Sequence, residues 1–301
     1  DIMANKRVAF AELSLIVVTI IWGLGFPITK IAINSGFDAN TIMFGRFFLA
    51  TILLSIVYFR KLKLLNKTII KYGVITGVFL FLGFYFQTLG NVYTTPSKNG
   101  FITQLNIVFV PYLYFVFFKK RVDVFNIIAV FVALIGMFML SYNPEGFRGI
   151  NIGDIFTFIC AIMVAFHVVT ASYFQKKYDF DPAVFVLVNI GTSMIFSAIA
   201  MILFETLPEV NSYLEYWPLV FLGILNTALG FLVQSYALKI SVPTRISLIV
   251  TLESIFAVIG SVLILNDVIG VEVIIGGLLI ISAVLINEVK PFKKKNKILE
   301  V

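Results

Sequence analysis

The sequence predicts an all-α membrane protein whose ten transmembrane helices form two inverted five-helix repeats, with both termini in the cytoplasm. The first observation is composition: 60% of the 301 residues are hydrophobic and only 13% are charged, whereas a soluble domain carries about 25% charged residues. The second is a series of apolar runs of membrane-spanning length. The third is a short motif that recurs at a fixed separation. Together they indicate a chain that is solvated mostly by lipid.

Ten apolar runs are long enough to be membrane spans, since the hydrocarbon core of a bilayer requires about 20 apolar residues per helix. The runs lack the alternation of apolar and polar residues that is typical of a transmembrane β-barrel. Spans 1 to 10 are predicted, in chain order, at residues 10–31, 41–59, 72–92, 97–118, 123–141, 153–173, 183–204, 216–238, 244–265 and 270–288.

Lysine and arginine are distributed unequally between the two sides of the predicted membrane. Most of the 23 basic residues lie in the terminal segments and in the loops after spans 2, 4, 6 and 8, whereas the loops on the other side hold only Lys98 and Arg148. Cytoplasmic segments carry the excess of Lys and Arg, so both termini are predicted to be cytoplasmic. The net charge of +7 is therefore explained by membrane orientation, and no nucleic-acid partner is expected.

The stretch QTLGNVYTTPSK (87–98) has a counterpart in QSYALKISVPTR (234–245), which lies 234 − 87 = 147 residues later and holds Gln, Pro and a basic residue at the same spacing. Each copy contains five spans, an odd number, so the second copy enters the membrane upside down. The predicted units are residues 3–147, residues 148–290 and a basic cytoplasmic tail at 291–301. Inverted repeats of this kind place the substrate of a secondary transporter near the midplane, between the repeats.

Four segments carry a resemblance to a known family. IIWGLGFPITK (20–30), GRFFLA (45–50) and ITQLNIVFVPYLYFVFFKKR (102–121) resemble the first repeat of the EamA family, and LIVTLESIFAVIGSVLILND (248–267) resembles the second. That family belongs to the drug/metabolite transporter superfamily. The resemblance covers nearly the whole chain. It implies a ten-helix inverted-repeat fold, alternating access, and export of amino acids or other small metabolites.

Two basic residues follow prolines at the starts of spans 4 and 9. Pro96 precedes Lys98 on the outer side, and Pro243 precedes Arg245 on the inner side. A cation near a helix N-terminus opposes the helix dipole by about 0.3–1 kcal/mol, so helix stability does not explain either residue. Two interpretations stay open: each cation snorkels to the membrane interface, or the two line electropositive mouths of a translocation path.

Ionisable and amide groups inside the spans are candidate functional residues, because such groups are costly in a bilayer and usually face a cavity or a partner. Glu253 stands near the middle of span 9, and its repeat mate is Asn106 in span 4. Glu253 either binds substrate or protons, or forms a structural hydrogen bond. A weaker match pairs FDANTIMFGRF (37–47) with FDPAVFVLVNI (180–190) and sets Arg46 in span 2 against Asn189 in span 7. Both are expected to be structural polar residues.

The remaining candidates are one histidine, two symmetric amides and four aromatic residues. His167 in span 6 could donate a hydrogen bond, relay a proton, or simply pack. Gln87 and Gln234 are repeat mates deep in spans 3 and 8. The aromatic residues are expected to shape an apolar wall, and all seven are assigned to substrate binding or translocation: His167, Gln87, Gln234, Trp22, Phe26, Tyr85 and Tyr236.

These residues favour a secondary transporter of the bacterial inner membrane that exports amino acids or similar zwitterions. The alternative substrates are cationic or aromatic drug-like compounds, or nucleoside-type metabolites. No enzyme motif is present, and different polar residues in the two halves argue against a uniform pore. One cysteine and one histidine leave no basis for a metal site, and no cofactor is expected. The expected partners are the substrate and the bilayer; glycines in span 10 would also suit a homodimer contact.

Overall fold

The computed structural model describes residues 2–118, 124–141, 150–204, 213–240, 246 and 249–289. Within these ranges the chain is helical apart from short connections, and no β-strand occurs among them. The junction between the two predicted repeats, the basic tail and Arg245 lie outside the described residues.

Helices occupy the five predicted spans of the first half. Their bounds are Ile2–Asn34 (span 1), Ala39–Val57 (span 2), Lys67–Tyr93 (span 3), Pro96–Thr103 and Asn106–Phe118 (span 4), and Val124–Ser141 (span 5). A 3₁₀ segment, Phe59–Leu64, follows span 2.

Helices also occupy the predicted spans of the second half. Spans 6 and 7 are Ile152–Tyr178 and Pro182–Phe204. Span 8 combines an α-helical turn, a π-helix and an α-helix. The bounds of these three parts, followed by those of spans 9 and 10, are Trp217–Val220, Phe221–Leu229, Gly230–Ile240, Leu252–Leu265 and Val271–Val289.

Seven of the described helical segments, those of spans 1–4 and 6–8, are long and apolar enough to cross a membrane by length and composition. Three shorter apolar helices lie at spans 5, 9 and 10. Large apolar side chains are exposed on the outer faces of the bundle: Phe10, Ile202 and Leu263 are 71%, 76% and 75% exposed. Such faces suit contact with lipid tails, so the described part of the chain is an all-helical membrane fold.

The largest helix contacts fall into related pairs. Span 3 packs along spans 6 and 7, span 1 along spans 8 and 9, span 2 against spans 7 and 8, span 4 against spans 6 and 9, and span 5 along span 10. Let each span of the first half correspond to the span five places later, so that span 1 matches span 6 and span 5 matches span 10. The contact between spans 3 and 6 then has its counterpart between spans 8 and 1. Likewise the contact 3–7 corresponds to 8–2, and the contact 1–9 corresponds to 6–4. The contacts 2–7, 4–9 and 5–10 map onto themselves. This is the pattern that a twofold relation between the halves produces.

Spans 4 and 9 are interrupted, although the sequence predicts two continuous helices. In span 4 the helix stops at Thr103, passes through a turn at Gln104 and Leu105, and restarts. In span 9 a turn at Thr251 precedes the helix Leu252–Leu265. The two turns are 251 − 104 = 147 residues apart, which is the offset of the sequence repeat. Each half therefore contains one interrupted span, at corresponding positions.

At both interruptions a polar side chain donates a hydrogen bond to a backbone carbonyl. The Asn106 amide donates to the carbonyl of Thr103 (2.8 Å) in span 4, and the Ser254 hydroxyl donates to the carbonyl of Thr251 (2.9 Å) in span 9. A carbonyl without a helical partner is costly inside a membrane unless the surrounding protein satisfies it. These local bonds allow both helices to break within the bundle.

Glycines bring spans 5 and 10 into close contact. A Cβ added to Gly136 would lie 2.9 Å from the carbonyl oxygen of Gly276, and one added to Gly277 would lie 2.4 Å from the Phe101 ring of span 4. Small residues let helix backbones approach closely in membranes. Both span 10 glycines therefore serve packing within the chain, and a homodimer through span 10 stays a prediction.

An ion pair ties the segment after span 2 to the start of span 7. Lys61 Nζ lies 2.8 Å from Asp181 Oδ2, and the two side chains are 37% and 23% exposed. The other carboxylate oxygen, Oδ1, accepts hydrogen bonds from the amides of Ala183 (3.0 Å) and Val184 (3.2 Å). Asp181 thus caps the N-terminus of span 7 while it holds Lys61.

This pair has a defined dependence on pH. The hydrogen bond to Asp181 raises the pKa of Lys61 above its ordinary 10.5. Partial burial raises the pKa of Asp181, but the hydrogen bonds from Lys61 and the Val184 amide outweigh it, and the pKa falls below its ordinary 3.8. Stability from Asp181 is therefore present above pH 3.8 and is lost as the pH falls through the lowered pKa. Stability from Lys61 is present below pH 10.5 and is lost as the pH rises through the raised pKa.

Replacing Asp181 by asparagine should remove the ion pair and keep an acceptor for the span 7 amides. Because the pair is partly exposed, the free energy of unfolding should fall by at most about 1 kcal/mol near pH 7. Asp181→Ala also removes the cap and should cost about 1 kcal/mol more. Thermal unfolding of both variants in detergent, repeated towards acid pH, checks this. The difference in unfolding temperature between wild type and Asp181→Asn should disappear at acid pH. A difference that persists there would contradict the assignment of the ion pair as its cause.

Candidate functional site

A cavity with about 70 Å³ of space accessible to water lies among helices of both halves in the described part of the chain. Side chains from spans 1, 2, 3, 4, 6, 8 and 9 line it. The sequence predicts a cavity formed by spans 1, 3, 4, 6, 8 and 9, and the structure adds span 2 through Arg46. A mostly apolar wall with a few convergent polar groups is typical of sites that bind small molecules.

The structure brings most of the residues assigned to substrate binding to one cavity wall. Seven of them line it together: Trp22, Phe26, Gln87, Asn106, His167, Gln234 and Glu253. They come from spans that are far apart in the sequence, and the two symmetric glutamines are among them. The cavity is therefore the candidate substrate site.

Other candidates lie elsewhere. Tyr85 packs against Phe81 and is not part of the wall. The Tyr236 hydroxyl lies 3.5 Å from Lys61 Nζ, near the end of the bundle. Lys98 is half-exposed at the start of span 4 and lies away from the wall. The geometry therefore does not support these two tyrosines as wall residues, because their helices turn the rings towards other partners.

Two candidates remain apart from the central wall for different reasons. Asn189 lines a second, smaller cavity with about 10 Å³ of space accessible to water. Its Nδ2 donates to the carbonyl of Phe185 in its own helix. Arg245 lies outside the described residues, so its predicted place at the inner mouth stays a prediction, like that of Lys98 at the outer mouth.

Arg46 is the cation of the cavity wall, and its side chain is only 2% exposed. Its Nε donates to Thr227 Oγ1 (2.9 Å) and its Nη2 donates to Asn226 Oδ1 (2.5 Å). The guanidinium also stacks over the Phe84 ring, with Cζ 4.2 Å from the ring centroid. Neutral acceptors and an aromatic face thus hold the charge, and among the described residues no carboxylate forms an ion pair with it.

Asn226 links three spans at the cavity. It sits in the π-helical part of span 8, a geometry that is often found at functional sites. Its side chain accepts from Arg46 of span 2 and donates to the carbonyl of Ile21 in span 1 (3.1 Å). Its own carbonyl accepts from Trp22 Nε1 (2.7 Å). A Cβ at Gly25 would lie 2.3 Å from the Asn226 amide nitrogen, so this glycine makes room for the link.

Glu253 is the carboxylic acid of the wall among the described residues and is 8% exposed. It follows the turn in span 9, in the first turn of the helix Leu252–Leu265. The Gln104 amide, in the turn of span 4, donates to Glu253 Oε2 (3.2 Å). The two interrupted helices therefore meet through this hydrogen bond. Glu253 and Arg46 interact electrostatically, yet they form no direct ion pair.

An aromatic cluster forms another part of the wall. The Phe231 ring packs against Trp22 (centroids 5.4 Å apart), Phe84 (5.5 Å) and His167 (5.7 Å). His167 Nδ1 lies 3.3 Å from the carbonyl oxygen of Thr76. In the described part of the chain, no group of three or more His, Cys, Asp and Glu side chains could hold a metal ion. The histidine is thus one wall of an aromatic pocket.

The sequence reasoning missed several residues of this site. Asn226, Phe84 and Phe231 line the cavity, and Asn91 lies at its edge with its Nδ2 bonded to the carbonyl of Phe26 (2.8 Å). An isolated amide within an apolar run, such as Asn226 in FLGILNTALGF, is a signal of the kind that identified Glu253. The phenylalanines carry no such signal among 32 phenylalanines in the chain.

Comparison with known proteins gives consistent results. The sequence profile of the EamA-like transporter family matches residues 9–142 and again residues 151–288. An uncharacterized transporter of Archaeoglobus fulgidus is 29% identical over 279 residues, which cover 92% of this chain and 85% of that protein. The uncharacterized transporter YoaV of Bacillus subtilis is 23% identical over 284 residues, covering 91% and 95%.

One solved crystal structure shares the fold. It aligns with a TM-score of 0.71 over 95% of this chain and 98% of its own, at 15% sequence identity. At that identity the likeness concerns the arrangement of helices alone.

Replacing Asn226 by alanine should destabilise the protein, because it removes an acceptor from a buried guanidinium. Loss of one partner of a buried charged group typically costs about 1–3 kcal/mol, and the thermal unfolding temperature in detergent should fall accordingly. Asn189→Ala is the matched control. It removes another buried asparagine whose Oδ1 has no partner among the described residues and whose Nδ2 bonds only within its own helix. An equal fall in unfolding temperature in the two variants would contradict the role of Asn226 as the acceptor for Arg46.

Proposed function

Because this chain belongs to the EamA-like transporter family and is a membrane transporter of that type, we propose that it exports amino acids or similar small zwitterions by alternating access. The proposal places it in the cytoplasmic membrane of a bacterium. One observation carries it: a cavity between the halves holds a buried cation, Arg46, and a buried anion, Glu253, that do not pair directly. A substrate with both charges would match both groups.

The proposed architecture has ten crossing helices in two inverted repeats with cytoplasmic termini. Three findings support it. The family profile matches the chain twice in succession. The largest contacts between helices have counterparts when each span is replaced by the corresponding span of the other half. The interruptions of spans 4 and 9 lie one repeat offset apart. Interrupted helices at corresponding positions are typical of substrate sites in transporters with inverted repeats.

A second, small cavity next to the central one also supports transport. The smaller cavity shares three wall residues, His167, Phe231 and Gln234, with the central cavity. It continues along spans 6, 7 and 8 towards the end of the bundle where Lys61 and Asp181 pair. The three shared residues form a partition between the two spaces. Movement of one half against the other would open this partition on one side of the membrane at a time.

A second candidate is the export of cationic or aromatic drug-like compounds, or of nucleoside-type metabolites. The aromatic cluster around Phe231 favours it, because aromatic faces attract flat or cationic ligands. Glu253 would then bind the cation. Arg46, however, would repel a purely cationic ligand in the same cavity. The charge pattern therefore fits a zwitterion better.

A thermal-shift screen of the purified protein should identify the substrate class. The panel contains the amino acids, their decarboxylated amines, nucleosides and cationic dyes. A ligand at 100 times its Kd adds about 2.7 kcal/mol to the folded state, so stabilisation by amino acids that their amines do not reproduce is the expected result. Stabilisation by cations or nucleosides alone would replace the zwitterion with the second candidate.

Transport itself is checked in proteoliposomes. Radiolabelled amino acids that give a thermal shift should exchange across the membrane with the unlabelled compound, and empty liposomes are the control. Imposing a pH gradient separates proton-coupled export from facilitated diffusion or exchange. Binding without exchange in either condition would contradict the transporter assignment of the cavity.

A further inference from the structure

We propose that Arg46 binds the carboxylate of the zwitterionic substrate and that Glu253 binds its ammonium group. This inference rests on the proposed function and deepens it. It also changes the expected role of Arg46, which the sequence suggests is structural.

The surroundings of Arg46 leave part of its guanidinium without an acceptor. Nε and Nη2 bond to Thr227 and Asn226, but among the described residues Nη1 has no hydrogen-bond partner. A guanidinium carries five N–H donors in a planar fork that fits a carboxylate with two parallel bonds. Two neutral acceptors and the Phe84 ring fix its orientation and leave donors for a ligand. Arg46 is thus held in place without being neutralised.

The side chain of Glu253, like that of Arg46, has fewer hydrogen-bond partners than it can accommodate. The described residues give its carboxylate a single side-chain hydrogen bond, from the neutral Gln104 amide, and no cation pairs with it. A buried carboxylate gains most from a charged donor at hydrogen-bond distance. An ammonium group in the cavity would provide that donor. The bond from Gln104 holds Glu253 at the wall while the cavity side remains for the ligand.

The separation of the two charges favours a zwitterion over other ligands. A direct ion pair between Arg46 and Glu253 would satisfy both and leave nothing for a substrate to contribute, but no such pair forms. A monovalent cation would improve only Glu253, and a monovalent anion only Arg46. A molecule with a carboxylate and an ammonium improves both at once and adds no net charge to the buried site. Its side chain would lie against the Trp22–Phe231 part of the wall.

The test uses ligands that lack one charge. Two sets serve as probes: leucine with 3-methylbutylamine and 4-methylpentanoate, and phenylalanine with phenethylamine and 3-phenylpropanoate. In the wild type each amino acid should bind at least about 10-fold more tightly than either analogue, as hydrogen bonds to charged groups imply. Affinities are measured by calorimetry or microscale thermophoresis in detergent.

Each of two variants should abolish the preference for the amino acid over one of its two analogues and keep the other preference. Arg46→Gln should bring the affinity for the amino acid down to that for the amine, a loss of about 10- to 100-fold, and should spare binding of the amine. Glu253→Gln, which keeps a side chain that can bond to Gln104, should equalise the amino acid and the deaminated acid. Arg60→Gln is the matched control, because it removes an arginine from the exposed segment after span 2. It should leave all affinities unchanged.

Each outcome decides between the two levels of the proposal. If no amino acid binds to the wild type, the proposed substrate class fails. If amino acids bind but Arg46→Gln keeps its preference over the amine, the assignment of Arg46 is wrong and the transporter proposal stands. Should Arg46→Gln not fold, Arg46→Lys replaces it: the charge remains and the planar fork is lost, so the preference for the carboxylate should shrink. An unchanged preference in that variant, or in Glu253→Gln, would overturn the inference.

Discussion

The burial of the Arg46 guanidinium is the constraint on which the site depends. Taking an arginine into a membrane interior costs several kcal/mol unless protein groups replace the lost water. Here the replacement comes from two spans, one in each half. Span 8 supplies Asn226 and Thr227, span 3 supplies the Phe84 face, and span 2 supplies the arginine itself. The π-helical turns of span 8 present both acceptors to one guanidinium. The charge therefore joins the two halves at the wall of the cavity between them.

The interruptions of spans 4 and 9 complete the wall from the other side. An interrupted helix is tolerated at membrane depth only where protein or water surrounds it. In both spans a side chain three residues further along, from Asn106 or Ser254, donates a hydrogen bond to the carbonyl of Thr103 or Thr251. The hydrogen bond between Gln104 and Glu253 then connects the two interruptions. Among the described wall residues, the one carboxyl side chain is thus positioned by a backbone feature that occurs in both halves.

The sequence predicts the spans and seven of the residues that line the cavity, because hydropathy and the repeat offset depend on chain-wide patterns. It does not predict the interruptions. The residues Gln104 and Leu105 include neither glycine nor proline, so the break depends on the tertiary partners of the turn. In a run that is entirely apolar, the sequence also does not predict which face of the helix is turned towards the cavity. Tyr85 and Tyr236 point away from the cavity for this reason, and Phe231 points towards it.

The two halves share a backbone plan but carry different polar residues. Glu253 in the second half corresponds to Asn106 in the first, and Arg46 in the first half corresponds to Asn189 in the second. Both members of the first pair reach the cavity wall, whereas Asn189 lies in the smaller space beside it. Related backbones would allow the halves to exchange positions between two states of similar energy. Unequal side chains place one cation and one anion in the shared cavity. In the proposed transport cycle, the symmetry of the scaffold would provide for movement, and its asymmetry in charge would provide for recognition of a zwitterionic substrate.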